Sequence, residues 1–310
     1  MKDILVIGFH TYEKFIARKR VRKIIEKALR NRELQDINIY HVAIGYNNHH
    51  YLYKNDTMIK KIKTDDFNSA YIILMNLLAK IQTEFRLITF WGHAWGASVG
   101  SPNNSKLVMS VYDFAKPILD NNINSFLLLL EGCDLGNIIT LIDCYKFCRY
   151  MIGPSNGYGW NTFLNFLHIA NFETEKEIVK SMKKVNKQID PKDLYCLVIY
   201  KTKFVDRLIK FLSKVDLSKL DWNDMNNIIN IKQENPNSHD FYNIVKNYPK
   251  AKKITKILDN IVVFCKCNIN IDKFIYTNIY EESIRNTYYK ILNKESKEFY
   301  ISNPINYKIS

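Results

Sequence analysis

Residues 125–137 read Ser-Phe-Leu-Leu-Leu-Leu-Glu-Gly-Cys-Asp-Leu-Gly-Asn, and this stretch decides the fold. A Phe and four Leu residues without a polar break predict a strand buried on both faces, as in the middle of a parallel sheet. The strand ends abruptly at Glu131, Gly132 and Cys133, and Leu135 to Phe147 then predicts a helix. Ligands of open α/β sheets bind at this carboxyl edge. A lone cysteine is usually a buried structural residue, but a thiol beside the amino end of a helix has its thiolate favoured by the helix dipole.

A second apolar run ends in the same manner. Arg86 to Trp91 predicts a strand, and it leads directly into Gly92-His93-Ala94-Trp95-Gly96. A histidine in isolation is more often structural, but here a His and a Cys follow two separate strands. The interval between them accommodates one crossover with its helix. An imidazole that shares its proton with a thiol is the arrangement of a cysteine nucleophile, so the pair predicts catalysis.

Three segments of the chain resemble the clostripain family of caspase-like cysteine peptidases. They are Phe90–Ala94, Leu130–Cys133 and Tyr150–Trp160. In that family one strand ends in His-Gly, a second ends in Asp-x-Cys, and a later strand runs into a serine and a Gly-x-Gly-Trp-like loop. Ala94 here replaces the usual glycine after the histidine, and Glu131 replaces the aspartate. The resemblance is specific for residues 86–160, extends more loosely to 215, and is weak beyond.

The resemblance implies a cysteine endopeptidase that works through a thioester acyl-enzyme. Cys133 would be the nucleophile and His93 the general acid–base. The backbone amides of Ala94 and Cys133 would hold the oxyanion.

The resemblance also implies the substrate class, which is proteins or peptides with Lys or Arg at P1. Glu131 would meet that basic side chain, while Ser155 and Trp160 would line the cleft. An acid at the end of an apolar strand needs solvent or a cation beside it, so the alternative is that Glu131 pairs with a Lys or Arg of this chain. Relatives are often matured by cleavage after a basic residue in a loop near the active site, and Lys106 is the candidate here. The resemblance leaves any need for calcium open, and no other cofactor is expected.

The order of the elements predicts an α/β fold with a mostly parallel central sheet between helices, which is the caspase-like architecture. Strands are expected at residues 4–9, 37–44, 86–91, 125–131, 149–154 and 194–200, and helices at 14–32, 66–80, 111–120, 135–147, 172–188 and 203–215. Residues 46–63 read as polar and irregular, with a hairpin as one interpretation. We predict a caspase-like domain at 1–215 and an α+β extension at 216–310 that packs on the same domain.

The 310-residue chain carries a formal charge of +14, which permits attraction to polyanions without demonstrating it. The most basic segment, Lys14–Arg32, predicts an amphipathic helix whose basic face is most simply a solvated one. Nucleic acid is therefore the less favoured partner. No apolar run approaches the ~18 residues that a membrane-spanning helix needs, so no membrane partner is expected.

Six scattered cysteines have no disulfide-framework spacing, which is typical of a reducing compartment. No signal peptide is recognisable at Ile4–Phe9, so an intracellular protein is expected. Cys265-Lys-Cys267 and His49-His50 are weak metal motifs because each lacks a partner pair.

Three alternatives remain beside the peptidase. Gly96-Ala-Ser98-Val-Gly100 matches the nucleophile elbow of α/β-hydrolases, but Ser98 lies beyond the turn where that motif places its serine. A catalytically inactive caspase-like binding module would keep the fold without the reaction. A polyanion-binding protein would use Lys14–Arg32.

Overall fold

The structure is a computed structural model that describes residues 3–10, 37–45, 48–55, 57–95, 98–100, 108–132, 135–154, 172–188, 196–212, 238–240, 251–267 and 278–280. The basic segment Lys14–Arg32 lies outside the described residues.

A nine-stranded sheet forms the centre of the molecule. Its strands in chain order are β1 (Ile4–His10), β2 (Ile39–Gly45), β3 (His49–Lys54), β4 (Thr57–Lys63), β5 (Glu84–Trp91), β9 (Asn124–Glu131), β10 (Cys148–Pro154), β11 (Cys196–Lys201) and β13 (Val262–Cys267). Their spatial order is β13-β11-β10-β9-β5-β1-β2-β3-β4. The five central strands, from β10 to β2, are parallel, and antiparallel pairs extend the sheet on both sides. The predicted α/β class with a mostly parallel centre is confirmed.

Strand β9 is buried on both faces, as its run of leucines predicts. Leu128 and Leu130 pack into one hydrophobic cluster, and Leu127 and Leu129 pack into the cluster on the opposite face. Each of the four side chains is at most 1% exposed. Because successive strand residues point to opposite faces, only an uninterrupted apolar run can satisfy both clusters.

Helices cover both faces of the sheet. They are α1 (Phe67–Ala79), α2 (Val111–Asp120), α3 (Ile138–Cys144), α4 (Glu175–Gln188), α5 (Val205–Leu212) and α6 (Ala251–Ile261). Residues of α1, α2, α3, α5 and α6 belong to the larger cluster, whereas Ile178 and Met182 of α4 belong to the opposite one. Within the described ranges, no helix has both the length and the apolar composition that crossing a membrane requires.

Polar caps determine where several helices begin. Asp66 accepts a hydrogen bond from the Ser69 N–H at the start of α1, and Ser110 accepts one from the Asp113 N–H at the start of α2. Such caps satisfy amide groups that have no partner inside the helix. Helix α2 has the predicted bounds, whereas α3 is shorter than the predicted 135–147 because its cap is Asn137.

Two smaller sheets were not predicted from the sequence. Strands β6 (Ala94–Trp95), β7 (Ser98–Gly100) and β8 (Val108–Ser110) form one, and β12 (Ser238–Asp240) pairs with β14 (Asn278–Tyr280) in the other. The domain division at residue 215 stays a prediction, although β13 from the second half joins the central sheet by pairing with β11.

Candidate active site

The ends of β5 and β9 lie side by side at the carboxyl edge of the sheet. The two strands are parallel neighbours, and Trp91 is in register with Glu131. The pairing continues one step further, because the Gly92 N–H donates to the Glu131 C=O at 3.4 Å. The segments that lead to His93 and to Cys133 therefore leave the sheet side by side at its carboxyl edge.

A close approach of two small residues follows these strand ends. A Cβ added to Gly132 would lie 2.6 Å from the Ala94 Cβ and 3.1 Å from the Gly92 carbonyl oxygen. Cβ atoms do not approach so closely, so position 132 requires glycine while position 94 carries a methyl group. His93 directly precedes Ala94 and Cys133 directly follows Gly132, so both predicted catalytic residues adjoin this contact in the sequence.

The backbone around His93 is held by the small sheet. The Gly100 N–H donates to the His93 C=O at 2.9 Å, while Ala94 is paired with Val99. In antiparallel geometry this bond makes Ala94 and Val99 a non-hydrogen-bonded pair, so the Ala94 N–H points away from β7. The His93 imidazole is half-buried, and desolvation lowers its pKa below the ordinary 6.5. The neutral imidazole, which can accept a proton, is thus the form favoured at neutral pH.

Glu131 is a buried carboxyl group at the end of an apolar strand. Its side chain is 2% exposed, and neither carboxyl oxygen has a hydrogen-bond partner within the part of the chain that the structure describes. Burial raises the pKa of this carboxyl well above its ordinary value. A group in this state is costly unless a ligand satisfies it.

The segment after Cys133 is anchored by contacts that sequence reasoning missed. The Gly136 N–H donates to the Pro154 C=O at 2.6 Å, and the Tyr200 hydroxyl donates to the Gly136 C=O at 2.9 Å. Gly136 packs against the end of β10 so closely that an added Cβ would lie 2.5 Å from the Gly153 carbonyl oxygen. A glycine at a strand end and a glycine just before a helix are both typical of such a close approach. Nothing in the sequence indicates Tyr200, because its partner is 64 residues away.

Several predicted residues are not covered by the structure. Cys133, Ser155, Trp160 and the proposed processing residue Lys106 lie outside the described residues. Their predicted roles, like those of His93, Ala94 and Glu131, stay predictions.

The competing motifs have structural explanations. Ser98 lies in β7 of the small sheet, not at a strand-to-helix turn, so the hydrolase elbow is absent there. His50 is fully buried, with one ring nitrogen accepting from the Gly45 N–H and the other bonded to the Thr64 C=O. Neither nitrogen is left for a metal. The described part of the chain contains no group of three or more His, Cys, Asp or Glu side chains that could hold a metal ion.

Comparison with solved structures identifies the fold. A secreted C11 cysteine protease from Bacteroides thetaiotaomicron, in complex with an irreversible peptide inhibitor, superposes with a TM-score of 0.71 over 95% of this chain and 99% of that one, at 10% identity. This chain has the fold of the C11 proteases. That family is the clostripain family, so the resemblance read from the motifs is confirmed at the level of the fold.

Two further C11 structures agree. The structure named iotapain, also a secreted C11 protease of B. thetaiotaomicron, has a TM-score of 0.71 at 11% identity and covers 93% of this chain and 97% of its own. An inactive zymogen C11 protease from Parabacteroides distasonis has a TM-score of 0.63 at 12% identity and covers 94% and 97%. No protein-family profile and no curated protein sequence matches this chain.

The expectation of an intracellular protein is corrected by these comparisons. Two of the structures with the C11 fold are described as secreted proteases, so the intracellular assignment is not retained. The expectation rested on the absence of a recognisable signal and on cysteine spacing without a disulfide framework. Cys144 and Cys148 are buried, so they are shielded from oxidants in either compartment and do not report on it.

Proposed function

We propose that this chain is a cysteine endopeptidase in which Cys133 is the nucleophile, His93 is the general acid–base, and Glu131 selects Lys or Arg at P1. One observation supports this above the others. Within a C11 protease fold, the strand that leads to His93 and the strand that leads to Cys133 are parallel neighbours in register, and their ends meet at the Gly132–Ala94 contact.

The reaction follows from the chemistry of the two side chains. The Cys133 thiolate attacks the scissile carbonyl carbon and forms a C–S bond, while His93 holds the thiol proton. His93 then donates that proton to the leaving amine as the C–N bond breaks, which leaves a thioester. Water attacks the thioester with His93 accepting its proton, and the Cys133 thiolate departs. The lowered pKa of His93 suits the step in which the imidazolium donates its proton to the leaving amine.

The oxyanion of each tetrahedral intermediate would be held by the backbone amides of Ala94 and Cys133. An alanine donates its backbone N–H as well as a glycine does. The geometry of β6 supports this role for Ala94, because its N–H points away from β7 and so is not used in that pairing.

The buried carboxyl group of Glu131 supports selection of a basic P1 side chain. A substrate Lys or Arg would bring both a cation and hydrogen-bond donors to an acceptor that has none among the described residues. If the pocket is open to the substrate, Coulomb attraction at ~4 Å and an effective dielectric constant of ~20 is about 4 kcal/mol. After desolvation, half of that favours a basic over a neutral P1 residue by ~30-fold.

Peptide cleavage profiling of the wild type and of Cys133→Ala tests the activity. The wild type should cleave after Lys and Arg, and Cys133→Ala should lose cleavage entirely because it lacks the thiol that forms the acyl-enzyme. Matched peptides ending in Arg, Lys, Asn and Asp, assayed on the wild type and Glu131→Gln, test the specificity by kcat/KM. Absence of cleavage by the wild type would favour an inactive binding module, and equal cleavage after Asn would mean that Glu131 does not contact P1.

A further inference from the structure

The two glycines on either side of Cys133 in the sequence, Gly132 and Gly136, are both held by close backbone packing. On one side Gly132 packs against Ala94, and on the other Gly136 is enclosed by the end of β10. Directly after Gly136, Asn137 begins α3 and accepts a hydrogen bond from the Thr140 N–H at 2.9 Å. Only three residues separate the two glycines, so the position of the second anchor constrains the nucleophile directly.

Three contacts hold the second anchor. The Gly136 N–H bonds to the Pro154 C=O, and the Gly136 C=O accepts from the Tyr200 hydroxyl. A Cβ added to Gly153 would lie 3.0 Å from the Gly136 nitrogen, so the two backbones are in direct contact. The N–H and the C=O of Gly136 are thus both hydrogen-bonded, the first to a residue of β10 and the second to a residue of β11.

Tyr200 is the only side chain that takes part in these two hydrogen bonds. It lies on β11, paired with Met151 of β10, and its side chain is 0% exposed. The hydroxyl reaches past β10 to the loop that follows β9. A buried tyrosine needs a hydrogen-bond partner for its hydroxyl. Because the partner here is the Gly136 C=O, the bond fixes the position of Gly136 relative to the sheet.

We propose that Tyr200 is a positioning residue that, through Gly136, holds the Cys133 loop in register with His93. The inference rests on the proposed function for its catalytic consequence, but the positioning of the loop can be measured without any peptidase activity. An error of about 1 Å in the placement of a reacting group can cost about 100-fold in rate, whereas the stability of one hydrogen bond is modest. Loss of the Tyr200 hydroxyl should therefore affect chemistry more than folding.

Tyr200→Phe removes the hydroxyl and keeps the ring. Tyr71→Phe is the matched control, because Tyr71 is 1% exposed and its hydroxyl donates to the Phe114 C=O at the same 2.9 Å, but this bond joins α1 to α2 and does not involve Gly136. Both variants should lose similar stability in urea denaturation. Only Tyr200→Phe should lower kcat, by about 10-fold with little change in KM, because binding groups are untouched.

Alkylation of Cys133 by iodoacetamide supplies the second readout. In Tyr200→Phe the rate at pH 6.5 should fall by about 10-fold and approach the wild-type rate at high pH, because the imidazole no longer assists ionisation of the thiol. Gly153→Ala, which presses on Gly136 from β10, should shift the same profile. Hydrogen exchange of the Gly136 amide should accelerate in Tyr200→Phe and not in Tyr71→Phe.

An unchanged kcat and alkylation profile in Tyr200→Phe, or equal changes in Tyr71→Phe, would overturn the positioning role. Should Tyr200→Phe fail to fold, Gly153→Ala tests the same anchor from β10, and an unchanged alkylation profile there overturns the role of Gly136 on which the proposal depends. If the wild type cleaves no peptide, the proposed function fails while the alkylation and exchange measurements still test the loop. If the wild type cleaves and both Tyr200→Phe and Gly153→Ala match it, the function stands and this inference falls.

Discussion

At the scale of single residues, Glu131 is in a state that differs clearly from that of an ordinary surface carboxyl. The sequence predicts an acid at the edge of the sheet, with solvent or a cation beside it. The structure shows it buried, with its pKa raised well above the ordinary 4.5. The neutral acid is therefore the form that the folded chain tolerates, and the charged form needs a cation.

Glu131 should make the folded state less stable as pH rises. The folded chain keeps the proton above pH 4.5 while the unfolded chain releases it, so the free energy of unfolding falls with increasing pH, by up to about 1.4 kcal/mol per unit, until the raised pKa is reached. Glu131→Gln should remove this part of the slope. Urea denaturation between pH 4.5 and 8 measures it, with Glu84→Gln, on the exposed start of β5, as the control. If the free energy of unfolding had the same slope against pH in the wild type and in Glu131→Gln, the burial of the Glu131 carboxyl would be contradicted.

The cysteines should differ in their reactivity. Cys148 is fully buried, burial raises its pKa well above the ordinary 9, and its Sγ donates to the Cys144 C=O at 3.4 Å. A thiol in that state does not react, so iodoacetamide should modify Cys133 first and leave Cys144 and Cys148 unmodified in the native protein. Peptide mass mapping after limited alkylation identifies the sites. Early modification of Cys148 would count against the packing, and early modification of Cys196 or Cys265 would count against Cys133 as the activated thiol.

At the scale of elements, the junction of β5 and β9 depends on a pair of small side chains. Gly132→Ala should destabilise the chain and suppress activity, because the new methyl would lie 2.6 Å from the Ala94 Cβ. Ala94→Gly removes that obstacle, so the double variant should recover part of the loss, and the two changes should not add. Thermal unfolding of the two single variants and the double variant gives the coupling. Additive effects would show that the two residues do not press on each other.

The sequence predicts these elements well where the signal is local. Helix α2 is found at its predicted bounds because Ser110 caps it, and β9 is buried as its leucines require. The sheet of β6, β7 and β8 was missed because its strands have only two or three residues. Such strands are too short to show an alternation of apolar and polar residues. Tyr200 was missed because its contact with Gly136 joins segments far apart in sequence.

At the scale of the whole molecule, the two halves of the chain share one core. Ile254, Leu258 and Ile261 of α6 are at most 1% exposed and belong to the same cluster as the leucines of β9. Strand β13 covers the edge of β11. The predicted division at residue 215 therefore separates two parts of the sequence that pack against each other in space.

A chain truncated to residues 1–215 should not reach the native state. It would lose three buried aliphatic side chains, each contributing about 2–5 kcal/mol, against a total stability of about 5–15 kcal/mol. The intact chain should unfold in one cooperative transition, measured by calorimetry and far-ultraviolet circular dichroism. A folded, cooperative 1–215 fragment would establish the second part as a separate unit.

The position of β13 in the chain also affects how the protein folds during its synthesis. On the ribosome, β11 emerges long before its neighbour β13, and every other described strand of the central sheet precedes it as well. During that interval the edge of β11, with the apolar Leu197, Val198 and Ile199, stands open to any extended chain nearby. Translation therefore passes through a stage in which this edge can pair wrongly, and it leaves that stage only when residues 262–267 have been synthesised.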